Sequence, residues 1–283
     1  MSAPVEHARA QMPLRDHLRE LRRRLVISLL AIAAGTVVGW IYYEPIFDVI
    51  SEPIQDVVDA AAAQGRDVRL VVAGVTDAFM LKVRVAVMAG MVLASPVWIY
   101  QLWAFVTPGL HTKERRWVYL FVVLSVPLFL SGVVLAYVLM PKGLEVLLGF
   151  TPQNVGNYLP VDRYLSFFIR MVIVFGIGFL TPLFIVGLNM IGVLSGKRLA
   201  SAWRYIIFGV FVFAAVATPT GDPITMMMLA APVMVLVGGA VAFSLLNDRR
   251  RRRNGAEPDY DSFDDDEVSP IPESVDGEDS ARR

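Results

Sequence analysis

Long apolar stretches constrain this chain more than any other feature of its sequence. A helix needs about 20 apolar residues to cross the roughly 30 Å hydrocarbon core of a bilayer. Six stretches are candidates for such helices: 25–43, 83–105, 117–140, 164–188, 205–217 and 224–246. The fifth has only thirteen residues, which at about 1.5 Å per residue would reach about 20 Å. The pattern predicts an all-α membrane protein with six transmembrane helices, of which a late one is short.

The composition agrees with this class and excludes several others. Charged residues are 18% of the 283 residues and the mean hydropathy is +0.55, which is typical neither of a disordered chain nor of a soluble enzyme. The 26 basic and 26 acidic residues cancel, which argues against a nucleic-acid-binding protein. With no cysteine and three histidines, the sequence offers no Cys- or His-rich metal site, and we expect no cofactor.

Basic residues flank the predicted spans mainly on one side of the membrane. Seventeen Lys and Arg residues lie in segments on the side of the N-terminus, and six lie in segments on the opposite side. In membrane proteins the cytoplasmic loops carry the excess of basic residues. We therefore expect an even number of spans with both termini in the cytoplasm.

Three regions follow from this arrangement. Residues 1–24 are expected to form a cytoplasmic segment with a basic amphipathic helix, and 25–246 the six-span transmembrane domain. Residues 247–283 combine a basic anchor with a cytoplasmic tail, whose acidic, Ser- and Pro-containing composition predicts disorder. Outside the membrane, we expect helical turns at 48–63 and, because of its prolines and glycines, a loop with at most one short helix at 140–162.

Two carboxylates are expected at the cytoplasmic interface. Glu20 lies one turn before Arg24 in the basic helix, and Glu114 lies just before the third predicted span. One interpretation is structural: a Glu20–Arg24 pair on a helix surface, and a glutamate that favours the positive end of a helix. The other is a binding site, because two carboxylates beside Trp103 and Phe105 would suit a peptide with paired arginines and an apolar flank.

Several stretches make the chain resemble the TatC family, the multispanning core subunit of the twin-arginine protein translocase. The resemblance covers about residues 12–246 and rests on the order of short motifs. These are His-Leu-Arg-Glu-Leu-Arg-Arg-Arg-Leu at 17–25, Ser-Glu-Pro at 51–53, Ser-Pro-Val-Trp-Ile-Tyr-Gln-Leu-Trp-Ala-Phe at 95–105, Lys-Glu-Arg-Arg at 113–116, Tyr-Leu-Ser-Phe at 164–167, and Thr218-Pro219 with Asp222.

The resemblance implies a function in protein export from a bacterium. Members of the family recognise twin-arginine signal peptides on folded cargo at the cytosolic face of the plasma membrane. They assemble with single-span TatA- and TatB-type partners and with further copies in a larger complex, and the proton-motive force drives transport. The resemblance also implies a concave bundle of helices in which the late helices are short, and it implies no enzymatic activity. No nucleotide-binding loop is present in the sequence.

The resemblance also implies roles for individual residues. Glu20 and Glu114 match the carboxylates of the family that bind the signal peptide. Arg22 and Phe105 match positions that support the same site, and we expect Trp103 to offer apolar contact there.

Other motif positions imply structural roles or contacts with partner proteins. Pro53, Pro96 and Asp222 match family positions near the outer face or in turns. Leu180 stands where many members have an intramembrane glutamate. A polar contact at that place must therefore use Thr181 or another group.

Two other classes of membrane protein fit the sequence less well. A small-solute secondary transporter needs a polar site near mid-membrane and usually an internal repeat. The only charge well inside a predicted span is Arg170, which we expect to snorkel to the outer interface rather than to form a buried ion pair. An intramembrane hydrolase would need a Ser/His or paired-Asp arrangement within the spans, and the sequence shows neither.

Overall fold

The computed structural model describes residues 14–253 apart from 64, 66–67, 73, 107–114, 151–156 and 218–222. The predictions for Glu114, for Asp222 and for the acidic tail lie outside these residues. The predicted basic anchor is described, because the last helix continues to Arg253.

Helices make up almost all of the described chain. In chain order they are α1 (Leu14–Ile41), α2 (Tyr43–Ala63), α3 (Asp77–Leu93), α4 (Ser95–Val106), α5 (Arg115–Gly149), α6 (Val161–Met190), α7 (Gly196–Ser201), α8 (Trp203–Ala217) and α9 (Pro223–Arg253). Two short strands, β1 (Val68–Val71) and β2 (Asn157–Pro160), pair in parallel with Val68 opposite Asn157.

The lengths of the helices agree with a membrane protein. Within the described residues α1, α5, α6 and α9 are each long and apolar enough to cross a bilayer. The helices α3 and α4 qualify only together, as one span bent by 57°. The helix α8 is apolar but shorter, as the sequence predicted for the fifth stretch. By length and composition the described part of the chain thus has four helices able to span a membrane, or five spans with the bent pair.

The break between α3 and α4 corrects the prediction of one continuous span over 83–105. The backbone of Ala94 still hydrogen-bonds Gly90, but the axis turns there and Pro96 lies in the first turn of α4. Proline disfavours helical backbone at the preceding residue and is tolerated in the first turn of a helix, where an N–H has no partner. Pro96 therefore stands where the chain changes direction.

The segment 140–162 is more helical than predicted. The helix α5 continues through Pro141 to Gly149. The added turns bury Met140, Leu144 and Leu148, which are spaced four residues apart and so share one face. This apolar contact outweighs the backbone hydrogen bond that proline removes.

The helical turns predicted at 48–63 are present in the longer helix α2, which contains Pro53 as a buried residue. A hydrogen bond links its first part to α6, because the hydroxyl of Tyr164 donates to the carbonyl of Ile50 at 2.6 Å. This contact joins α2 to the first turn of α6.

The helices α1 and α3 approach each other closely because small residues line their contact. A Cβ atom added at Gly35 would lie 2.8 Å from the carbonyl oxygen of Gly90, and one added at Gly90 would lie 2.5 Å from the backbone nitrogen of Thr36. A Cβ atom added at Gly39 would likewise overlap the backbone carbonyl of Ala86, one turn further along. Spacing of small residues by four is typical of closely packed transmembrane helices.

A polar cluster joins the ends of α6 and α9 to α7. The carboxylate of Asp248 accepts from the amide of Asn189 at 2.8 Å and from the backbone N–H of Gly196 at 2.6 Å. The amide oxygen of Asn189 accepts from Asn247 at 3.0 Å. Asn189 is fully buried, so Asp248 satisfies polar groups that water cannot reach.

Substitution of Gly90 tests the close helix contact. We expect Gly90→Ala to destabilise the protein by about 1–3 kcal/mol, because the new methyl group overlaps backbone atoms of α1. The measurement is thermal unfolding in detergent. The matched control is Gly239→Ala, since a Cβ at Gly239 meets no atom within 4 Å. Equal melting temperatures for the two variants would contradict the contact.

Substitution of Asp248 tests the polar cluster. We expect Asp248→Ala to cost about 1–3 kcal/mol for each buried donor left without an acceptor, and Asp248→Asn to cost less. Amide hydrogen exchange at α7 should rise in the alanine variant. The control Asp59→Ala removes an exposed carboxylate of α2. If α7 exchanges at the same rate in both alanine variants, Asp248 does not hold it.

Candidate functional site

The beginning of α1 and the end of α4 meet and bring predicted site residues together. The rings of His17 and Phe105 stack with their centroids 4.6 Å apart. Glu20 and Arg24 follow His17 at spacings of three and seven residues, which places all three on one face of α1. Phe105 therefore lies on the helix face that carries Glu20.

The carboxylate of Glu20 is paired on one oxygen only. The Nε of Arg24 donates to Oε1 of Glu20 at 3.0 Å, and Nη2 of Arg24 contacts the same oxygen. Within the described residues Oε2 receives no hydrogen bond. The side chain of Glu20 is 26% exposed. The Glu20–Arg24 pair expected from the spacing is therefore present, and it leaves an open carboxylate oxygen.

Gln101 is a site residue that the sequence reasoning missed. Its Oε1 accepts from Nη1 of Arg24 at 3.3 Å, which connects α4 to α1. Arg24 is thus held between the carboxylate and the amide. The available signal was a lone amide in the apolar stretch 95–106, but nothing in that pattern identifies a partner 77 residues away.

An apolar groove extends from this polar contact between α1, α3, α4, α5 and α6. Its volume is about 340 Å³. Arg24, Ser28 and Gln101 lie at its polar end, and the rest of its lining is apolar. Apolar lining residues include Leu25, Ile32, Met91, Trp98, Phe129 and Ile177. Sites of about 300–1,000 Å³ that are mostly apolar with a few polar groups are typical of ligand pockets.

Trp103, which we expect from the sequence to offer apolar contact to a peptide, is buried beside the groove and is not part of its lining. It is 2% exposed and its ring stacks with those of Phe121 and Phe184, at centroid distances of 4.6 and 4.9 Å. Its indole N–H donates to the hydroxyl of Ser125 at 2.6 Å. Trp103 instead holds α4 against α5 and α6.

Leu180, at the position where the resemblance implies a glutamate, belongs to the same aromatic cluster. It is 3% exposed and packs with Ile99, Trp103 and Phe129. An apolar side chain is suited to this dry position, where a carboxylate would need a partner. Thr181 beside it is half-buried.

The remaining predicted residues are more dispersed. Arg22 is exposed on α1, Pro53 is buried in α2, and Pro96 is exposed at the start of α4. Glu114 and Asp222 lie outside the described residues. The structure thus brings Glu20 and Phe105 together and adds Arg24 and Gln101 to them.

Comparisons with known proteins agree on one family. Residues 16–232 match the family TatC, described as Sec-independent protein translocase protein. A TatC protein of Frankia casuarinae is 44% identical, over 93% of this chain and 73% of the relative. Those of Xylanimonas cellulosilytica and Aquifex aeolicus are 38% and 33% identical, over 90% and 85% of this chain and 91% and 98% of the relatives.

Solved structures show the same fold. A crystal structure described as the twin arginine translocase receptor TatC superimposes with a TM-score of 0.70 at 32% identity, over 82% of this chain and all of that one. A crystal structure of the receptor in the detergent DDM gives the same TM-score and identity. The match to the family, over residues 16–232, runs from the first turn of α1 into α9 and includes Glu20, Gln101 and Phe105. The chain is therefore a member of the TatC family of Sec-independent protein translocase proteins.

Proposed function

We propose that this chain binds twin-arginine signal peptides through Glu20 and Glu114 and the apolar groove beside Glu20. The observation that carries the proposal is the half-open carboxylate of Glu20, which is bound to Arg24, a residue that lines the groove. As a member of the TatC family the chain is a core component of a Sec-independent translocase. Its work is transport rather than catalysis.

The chemistry of Glu20 suits a guanidinium group. Arg24 already occupies one carboxylate oxygen, which leaves Oε2 for an arginine of the peptide. Charge-assisted bonds between guanidinium and carboxylate are short, directional and specific for arginine over lysine. Glu114 supplies the carboxylate for the second arginine, as the family resemblance implies, and Arg22 supports the same site.

The apolar groove suits the hydrophobic segment that follows the arginines in a signal peptide. Phe105 is half-buried and stacked on His17, so it offers an ordered apolar surface next to Glu20. The apolar lining then continues along α3 and α6. When the peptide is bound by its arginines, its apolar side chains would be removed from water by lying in this groove.

The orientation follows from the distribution of basic residues. With α3 and α4 as one broken span and α8 as a short one, the helices form six spans, and both termini lie in the cytoplasm. Glu20, near the start of α1, then faces the cytoplasm, where cargo is folded. The protein resides in the bacterial inner membrane as a multi-pass subunit.

Partner proteins use other faces of the bundle. The chain scaffolds TatA- and TatB-type single-span proteins and further copies of itself for export of folded cargo, driven by the proton-motive force. Tyr205, Phe208 and Val216 are exposed on α8, which is too short to span a bilayer of ordinary thickness. Pro53, Pro96, Thr181 and Asp222 belong to the structural or partner-contact positions.

Transport of a small solute is not favoured. A secondary transporter binds its substrate through polar groups near the middle of the membrane. The groove is apolar beyond Arg24, Ser28 and Gln101, and the cluster around Leu180 is apolar as well. Neither place offers ligands for a hydrated solute or a coupling ion.

Glu20→Gln tests peptide recognition. Glutamine keeps the shape of the side chain but removes its charge, and a hydrogen bond to a charged group is worth about 1.5–3 kcal/mol. We expect the affinity for a fluorescent twin-arginine peptide to fall about tenfold or more. The matched control Glu145→Gln neutralises an exposed glutamate of α5. A peptide with lysines in place of its arginines should bind the wild type and Glu20→Gln equally weakly.

Unchanged affinity in Glu20→Gln would overturn the assignment of Glu20. Loss of affinity for both the arginine and the lysine peptide would also overturn it, since recognition would not depend on the guanidinium group.

Trp103→Phe separates stability from recognition. The variant removes the donor to Ser125, which is fully buried, and we expect a cost of about 1–3 kcal/mol in thermal unfolding. The folded variant should bind the peptide with wild-type affinity, because Trp103 does not reach the surface. Trp203→Phe, at a half-buried tryptophan of α8, is the control. Weaker peptide binding at unchanged stability would show that Trp103 contacts the peptide.

A further inference from the structure

Two arginines lie beyond the apolar end of the groove, on the two helices that form its sides. Arg84 is seven residues before Met91 on α3, and Arg170 is three and seven residues before Ile173 and Ile177 on α6. Residues at these spacings share a helix face. Met91, Ile173 and Ile177 line the groove. Arg84 and Arg170 therefore lie on the same faces of α3 and α6 that line the groove, but farther from Glu20.

One serine shows that the two arginines are close together. The Nη1 atom of Arg84 donates to the hydroxyl of Ser166 at 2.8 Å. Ser166 and Arg170 are one turn apart on α6, so their Cβ atoms are about 5–6 Å apart. The guanidinium of Arg84 thus lies within one helical turn of Arg170. Arg84 and Arg170 are therefore neighbours where α3 contacts α6.

Within the described residues neither arginine has a counter-ion. The nearest polar groups on Arg84 are neutral, namely the hydroxyl of Ser166 and the carbonyl of Asp162. No described carboxylate lies within 4.0 Å of either guanidinium. Arg84 and Arg170 are both exposed. Uncompensated arginines at a hydrocarbon surface are costly and attract anions from their surroundings.

The two arginines lie inside candidate membrane-spanning segments rather than at the ends of them. Arg170 is nine residues after the start of α6 and Arg84 is seven after the start of α3. At about 1.5 Å per residue these offsets are about 14 and 10 Å. Val87 and Ile177, which flank the pair toward the groove, are exposed and apolar. An anion that reaches the pair must therefore carry its own apolar part or be drawn in from the interface.

We propose that Arg84 and Arg170 bind the phosphate of an anionic phospholipid, with one acyl chain of that lipid in the apolar groove. Two guanidinium groups can each donate two parallel hydrogen bonds to phosphate oxygens. A zwitterionic lipid would bring an ammonium group next to two positive charges, so a headgroup with net negative charge is preferred. The groove begins about one turn along α6 from Arg170, at Ile173, and its apolar lining suits an acyl chain.

The lipid would thus occupy the space assigned above to the apolar segment of a signal peptide. That consequence rests on the proposed function. The lipid site itself does not, because its arginines and serine are separate from Glu20 and Gln101.

Lipid binding can be measured without any peptide. The full chain, exchanged into detergent, is titrated with phosphatidylglycerol or phosphatidylcholine and the bound lipids are counted by native mass spectrometry. We expect phosphatidylglycerol to bind more tightly than phosphatidylcholine. Each Arg→Gln substitution should weaken phosphatidylglycerol binding about fivefold, since a basic residue near an anionic lipid contributes that much. Arg170→Lys should retain part of the preference.

The matched control is Lys142→Gln, which removes one exposed positive charge of α5 away from the groove. It should bind phosphatidylglycerol as the wild type does. Arg170→Gln alone keeps the test valid if the double variant fails to fold, because the side chain of Arg170 makes no hydrogen bond within the described residues.

Equal binding of the two lipids, or equal phosphatidylglycerol binding in wild type and Arg170→Gln, would overturn the proposal. A loss of partner proteins from Arg170→Gln with unchanged lipid binding would also overturn it, in favour of a carboxylate on a partner helix. Failure of the peptide experiment with Glu20→Gln leaves the lipid result standing, so the two proposals fail separately.

Discussion

The burial of Trp103 is the contact on which the rest of the site depends. Its ring stacks between aromatic rings of α5 and α6, and its N–H finds a buried hydroxyl on α5. A large aromatic side chain with a satisfied polar atom is a strong anchor in an apolar core. With α4 anchored there and α3 packed on α1, the chain bends by 57° between them, and both helices line the groove.

The same bend determines which side chains meet at the polar end of the groove. With α4 held, Gln101 and Phe105 reach α1, where they contact Arg24 and His17. Arg24 is thereby fixed from two sides, and Glu20 is fixed by Arg24. The order of dependence runs from an apolar contact deep in the bundle to a carboxylate at its edge. The charged residues of the site are therefore positioned by residues that have no charge.

The sequence predicts the parts of this arrangement that are local. Apolar length predicts the long helices, the excess of basic residues on one side predicts an orientation, and the four-residue spacing predicts the Glu20–Arg24 pair. It does not predict the break at Ala94, the burial of Trp103, or the contact of Arg24 with Gln101. Each of these depends on contacts between residues far apart in the chain, and the periodicity within a single helix does not indicate such contacts. The helical extension of α5 past Pro141 was missed for the same reason, since its benefit comes from packing on other helices.

The arginine that already occupies Glu20 has a consequence for how cargo is held and released. Arg24 holds one oxygen of Glu20 and leaves the other open, so the proposed recognition adds a second guanidinium to a carboxylate that is already shared. Sharing limits how tightly a single arginine of the peptide can bind, and Glu20 stays paired with Arg24 when the peptide leaves. Such a site needs no separate step to neutralise an empty carboxylate, because the protein's own side chain remains on it throughout.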